Sequence, residues 1–237
     1  MALPKLNNAP SYEMEIPSIN KKVRYRPFLV KEQKSLMLAS ESNDQKVMLR
    51  AILDTFDNCV EGDYPKNKLT SFDVEYMFLQ MRAKSVGETA EVIVKCTECG
   101  KDNPIAINVE DIKIEVPEQD FKVQITDDIA VELCYPTYLD MIESGLSGTE
   151  ESSTADVAFK VLSNCLLAVE TPDERIIMKE QTSEEVTEFI ESMNQDQFIK
   201  IQNFINEIPS LKHTAKFTCK HCEHKNEMVV EGLQNFL

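Results

Sequence analysis

Four of the chain's seven cysteines fall into two CxxC units, Cys96-Thr-Glu-Cys99 and Cys219-Lys-His-Cys222, and nothing else in the sequence narrows its folding options as much. Two thiols separated by two residues in a tight turn point to one side, as in a zinc knuckle. Structural zinc takes four nitrogen or sulfur ligands in a tetrahedron, so one such turn supplies only half a site. The simplest completion is one Cys₄ centre of Cys96, Cys99, Cys219 and Cys222, although 119 residues separate Cys99 from Cys219. That length is no barrier, because loop-closure entropy grows only with the logarithm of loop length.

The setting favours metal over disulfide. Met1-Ala-Leu-Pro-Lys5 runs straight into polar sequence without the apolar core of a signal peptide. Apolar runs such as Cys165-Leu-Leu-Ala-Val169 fall far short of the roughly 18 residues of a membrane span. A cytosolic protein with no membrane span is expected, and there closely spaced thiols mean metal binding or redox chemistry. A redox CxxC normally opens a helix, whose N-terminus lowers the thiol pKa. Here strand-like sequence follows both pairs: Pro104-Ile-Ala-Ile-Asn-Val109 after the first, Asn226-Glu-Met-Val-Val230 after the second. Both turns also carry an Asn four residues after the second Cys, Asn103 and Asn226. His221 and His224 remain alternative ligands in the second half. Cys59, Cys134 and Cys165 sit in apolar patterns and read as packed thiols.

The chain has the pattern of an internal repeat. Lys22-Val-Arg-Tyr-Arg-Pro27 and Val131-Glu-Leu-Cys-Tyr-Pro136 are alternating segments that end at a proline. Each precedes an apolar stripe at helical spacing: Met48, Ile52, Phe56, Cys59 and Val60, then Ala158, Val161, Leu162, Cys165 and Val169. A second helical region follows in each half. One starts at Thr70-Ser-Phe-Asp73; the other starts at the capping box Thr182-Ser-Glu-Glu185 and runs on to Ile208, where Pro209 stops it. Short strands are expected over 112–116 and 121–125, and an exposed loop over 144–154. The expected fold is α+β: an N-terminal extension (1–20), then two related lobes of helices and short strands (21–118 and 119–237), each ending in a CxxC zinc-knuckle hairpin.

Composition and motifs exclude several function classes. With 41 acidic against 25 basic side chains the net charge is −16, which repels a phosphate backbone, so no nucleic-acid partner is expected. Lys21-Lys-Val-Arg-Tyr-Arg26 is the one basic cluster, read as the outward face of a half-buried strand or as a contact for an acidic partner. No G-x-G-x-x-G, Walker loop, H-E-x-x-H or G-x-S-x-G occurs, and the nearest approach to a phosphate loop, Gly145-Leu-Ser-Gly148, lacks its lysine. A closed Cys₄ site leaves no open position for water. The expectation is therefore a protein without catalytic residues or an organic cofactor.

Arg24-Tyr-Arg-Pro-Phe-Leu-Val-Lys-Glu32 leading to Leu36-Met-Leu-Ala-Ser-Glu41, then Phe72-Asp-Val-Glu-Tyr-Met-Phe-Leu79, Arg82-Ala-Lys-Ser-Val-Gly-Glu88 and Cys96-Thr-Glu-Cys-Gly100, resemble in sequence the baseplate hub proteins of T4-like contractile-tailed bacteriophages. The resemblance is strongest over residues 20–116. It implies a non-enzymatic hub subunit or hub assembly factor, with other phage baseplate hub proteins as partners. It also implies action in the infected host's cytoplasm during assembly, and leaves open whether the protein stays in the virion tail baseplate. The zinc reading rests on cysteine spacing alone. Outside this class stand a zinc-ribbon-like adaptor of transcription and a thiol oxidoreductase. No oligomeric state follows from the sequence.

Overall fold

The computed structural model describes residues 10–42, 44–112, 114–143 and 154–231. It is a mixture of helices and small antiparallel sheets, the α+β class, and its described residues group into two units. One contains residues 10–65, 72–115 and 210–231; the other contains 66–71 and 116–209. The expected lobes follow chain order, whereas these units follow space: residues 66–71 group with the second unit, and from residue 210 the chain groups with the first again.

The first unit opens with β1 (Tyr12–Ile16), inside the stretch read as an extension. It pairs antiparallel with β2 (Lys21–Tyr25). Alternation in β2 buries Val23 and Tyr25 and turns Lys22 and Arg24 outward, opposite Glu15 and Glu13 in register. Arg26 pairs with the buried Glu32 at 2.9 Å. Acidic neighbours within the fold thus face the basic cluster, as the half-buried-strand reading expects. Helix α1 (Val30–Glu41) follows, with the Glu32 carboxylate accepting the Leu29 N–H at 2.9 Å to close its first turn. Helix α2 (Gln45–Cys59) starts at Asp44, whose side chain accepts the N–H groups of Lys46 and Val47. It buries Leu49, Ile52, Phe56 and Cys59. The apolar stripe continues to Val60, but the helix does not: Val60 opens the two-residue strand β3 (Val60–Glu61), which pairs with β2. Helix α3 (Ser71–Ser85) is buried on most sides, from Phe72 to Ala83. Its Asp73 carboxylate accepts both the N–H and the hydroxyl of Ser18, at 2.9 and 2.6 Å. Two seven-residue strands, β4 (Thr89–Lys95) and β5 (Asp102–Asn108), form a hairpin around the first CxxC.

The second unit is built on a four-stranded antiparallel sheet. In spatial order its strands are β6 (Lys122–Gln124), β7 (Ala130–Leu133), β8 (Leu166–Glu170) and β9 (Arg175–Ile177). The helices are α4 (Tyr138–Glu143), α5 (Thr154–Cys165), α6 (Ser183–Glu191) and α7 (Gln195–Asn206). Val131, Leu133, Leu162, Leu166, Ile190 and Ile201 meet in one core. Here too the apolar stripe crosses an element boundary, since Val169 belongs to β8. The long second helix expected through Pro209 is broken at 192–194. Asn194 caps α7 with Gln197 in a reciprocal capping box, which offers the backbone a better partner than continued helix. The strand expected over 112–116 does not form among its described residues, and that over 121–125 shrinks to β6. The loop expected over 144–154 lies, except for its last residue, outside the described residues.

One junction recurs. The Arg26 N–H after β2 donates to the Cys59 carbonyl at 3.0 Å, and the Cys134 N–H after β7 donates to the Cys165 carbonyl at 2.8 Å. In each unit a buried cysteine ends a helix, and the next residue starts the strand that pairs back. Burial pushes the Cys59 thiol up to about 11 and the Cys165 thiol up to about 12, so both behave as small apolar groups. The chain returns to the first unit with β10 (Lys212–Thr218) and β11 (Lys225–Glu231), the hairpin around the second CxxC.

Candidate metal centre

Each CxxC turn is shaped by the same backbone bonds. In the first, the Cys96 N–H donates to the Lys101 carbonyl and the Gly100 N–H to the Cys96 carbonyl, both at 3.0 Å. In the second, the Cys219 N–H donates to the His224 carbonyl at 2.9 Å and the Glu223 N–H to the Cys219 carbonyl at 3.0 Å. The residue after each second cysteine takes a left-handed backbone, φ 68° at Gly100 and 62° at Glu223. Gly100 adopts this without a Cβ penalty, whereas Glu223 bears it. Neither pair opens a helix; each turn lies between strands of one hairpin.

The two hairpins bring their thiols together. Cys96 Sγ lies 3.7 Å from Cys222 Sγ, and Cys99 Sγ lies 3.6 Å from Cys219 Sγ. All four sulfurs fall within 4.8 Å of one another. Disulfide sulfurs would stand about 2.05 Å apart. Tetrahedral zinc with bonds of about 2.3 Å would set sulfur–sulfur edges of about 3.8 Å. The spacing fits metal ligation and excludes disulfides across these two pairs. Cys96 and Cys219 are buried, at 2% and 1% exposure, while Cys99 and Cys222 are exposed.

Hydrogen bonding favours the thiolate form of the buried sulfurs. The Cys99 N–H, with those of Glu98 and the Asn226 amide, outweighs burial at Cys96 and holds its pKa below the usual thiol value. Burial opposes ionisation at Cys219, but the His221 and Cys222 N–H groups and the Asn103 amide pull it down to about 6. At Cys222 the His224 N–H favours the thiolate, yet burial and the three neighbouring sulfurs push it up to about 12. Four thiolates this close would repel one another, and a divalent cation at their centre would remove that repulsion and displace the remaining protons.

All four cysteines singled out from sequence therefore converge in one cluster, which could hold a metal ion. His221 and His224 are exposed and lie outside it. Cys134 sits apart, its thiol directed at the Asn164 carbonyl at 3.7 Å. Asn103 and Asn226 are part of the site, a role that their matching positions in the two turns only hinted at: the amide of Asn103 donates to Cys219 Sγ and that of Asn226 to Cys96 Sγ, each at 3.5 Å. Among the described residues no helix is long and apolar enough to cross a membrane.

The sequence profile of the family described as T4 bacteriophage base plate protein matches residues 9–237. Over 226 residues the chain is 21% identical to the baseplate hub assembly protein gp26 of Enterobacteria phage T4, an alignment covering 95% of this chain and 97% of that relative. No solved structure matches the chain.

Proposed function

The chain belongs to the T4 bacteriophage base plate protein family, and from that premise we propose that it acts in assembly of the phage baseplate hub, through protein–protein contacts and without chemistry of its own. The observation that carries this reading is a likeness to a protein named for hub assembly that covers 95% of this chain and 97% of that relative. Its partners are the other hub proteins, met in the infected host's cytoplasm and retained in the tail baseplate where the protein is a hub subunit. Helix α1 offers a surface for such contacts, with Val30, Met37 and Leu38 exposed along it.

One zinc ion held by Cys96, Cys99, Cys219 and Cys222 stabilises the scaffold. When bound it supplies no reactive position, because four protein ligands close the tetrahedron. The matched turns, the repeated junction at Cys59 and Cys165, and the recurrent order of sheet, helices and CxxC hairpin support an internal duplication as the origin of the paired knuckles. A thiol oxidoreductase fits less well, since neither CxxC stands at a helix N-terminus.

The test is a phage with a nonsense mutation in this gene, complemented by purified protein. Hubs should fail to form without the protein and form when it is added. Normal hubs in its absence, or a protein that co-purifies with RNA polymerase and never with tail proteins, would overturn the reading in favour of a transcription adaptor.

A further inference from the structure

Asn103 and Asn226 are buried, at 1% and 5% exposure, and each reaches out of its own hairpin. We propose that they are the positioning residues of a single shared metal centre, each holding the buried cysteine of the opposite hairpin, so that neither hairpin contains a complete site. This rests on the zinc reading above and adds to it the groups that orient the ligands.

The bonds are reciprocal. Asn103, on β5, donates its amide N–H to Cys219 Sγ, 116 residues away, and its Oδ1 accepts the Lys220 N–H at 2.9 Å. Asn226, on β11, donates to Cys96 Sγ, 130 residues away, and its Oδ1 accepts both the Thr97 N–H and the Thr97 hydroxyl at 2.9 Å. The second amide hydrogen of each stays at home, on the Lys101 carbonyl at 2.9 Å and the His224 carbonyl at 3.0 Å. With Oδ1 held by N–H donors and Nδ2 by a carbonyl, the network leaves one orientation of each amide, with a hydrogen facing the sulfur.

Charge explains why there are two such residues and why they sit where they do. Four thiolates on one divalent cation leave a surplus of negative charge, and buried charge needs hydrogen-bond donors. Cys99 and Cys222 are exposed and can take donors from water, whereas the buried Cys96 and Cys219 are the two that the asparagines serve. Aspartate in the same place would lose the donor and set a carboxylate against a thiolate. Glutamine would overreach by one methylene.

Outer-shell partners of metal ligands typically account for about 10–100-fold in metal affinity, which is the loss expected for zinc in Asn103→Asp and in Asn226→Asp by chelator competition on the full chain. A purely structural role would not produce the second readout, alkylation of the zinc-loaded protein mapped by cysteine. A thiolate stripped of its N–H donor becomes more nucleophilic, so Asn103→Asp should speed reaction at Cys219 and Asn226→Asp at Cys96, each in the opposite hairpin. The third readout needs no variant: in cadmium-substituted wild type, scalar coupling should connect the metal to the side-chain amide protons of both asparagines. A zinc-loaded wild type whose variants keep full affinity, or react faster only at their own hairpin's cysteines, or an absent coupling, overturns the proposal and leaves the metal reading standing. A wild type that takes up no zinc removes both.

Discussion

The four-stranded sheet β6–β9 and the two hairpins β4–β5 and β10–β11 meet the same requirement by opposite means. Around the sheet, Val131, Leu133, Leu162, Leu166 and Ile201 are all exposed by 2% or less, and α5, α6 and α7 supply large apolar side chains to that core. The hairpins have less to bury: β10 hides only Ala215, β4 hides Ala90, Val92 and Val94, and β5 and β11 add the apolar Ile107 and Val230. An isolated two-stranded hairpin is marginal in water. Structural zinc in small peptides contributes about 10–16 kcal/mol of apparent binding energy, comparable with the whole stability of a domain. On the proposed zinc reading, four sulfurs replace apolar area where it is scarce; where it is plentiful, cysteines such as Cys165 simply pack.

This contrast can be broken most severely at the sulfurs. Cys219→Ser, or exposure of the wild type to a strong chelator, should lower Tm by more than about 10 °C, on a scale of about 2–4 °C per kcal/mol for a chain of this size. Amide hydrogen exchange should locate the loss in β4, β5, β10 and β11 and leave β7 and β8 protected. The reverse experiment is Leu162→Ala in the sheet's core. It should cost about 2–5 kcal/mol by denaturant titration while the zinc content stays unchanged.

Smaller effects sharpen the picture within the second unit. Asn194→Ala removes the cap between α6 and α7 and should cost about 1 kcal/mol, measured in the same titration. The smallest effect concerns Glu132. The Arg175 guanidinium beside it holds its carboxyl down to about 2, from an ordinary value of 4.5. A depressed acid stabilises the fold above its unfolded pKa, and that contribution is lost as pH falls from about 4.5 to about 2. Because Arg175 is 45% exposed, solvent screening leaves the pair only a small share of the stability. Glu132→Gln should therefore flatten the acid limb of the stability curve only slightly.

Much of the first unit was legible because local chemistry dictated it. Alternation in Ala90-Glu-Val-Ile-Val-Lys95 and the CxxC after it signal a hairpin from local sequence alone. The capping box at Thr182 likewise reads directly from sequence and forms as expected. Other features were hidden by how apolar patterns overlap. Val60 and Val169 continue a helical stripe yet sit in strands, because a side chain directed inward near a helix end can stay directed inward when the backbone turns extended, half-buried at Val60 and buried at Val169. The break at Asn194 was overshadowed by Phe198, Ile201 and Ile205, which keep helical spacing beyond it. At the sulfur cluster, spacing named the four cysteines that converge. It could not say that Asn103 and Asn226 cross between hairpins, because an amide's reach over more than a hundred residues leaves no periodic trace.

The account stands or falls on whether the metal centre is one site shared by both hairpins. Native mass spectrometry of the full chain tests this directly, comparing wild type with Cys96→Ser and Cys219→Ser. The expected result is one zinc per wild-type chain, with tight binding lost in both variants alike. Two zinc ions per chain, or a variant of one hairpin that still retains its ion, would contradict it.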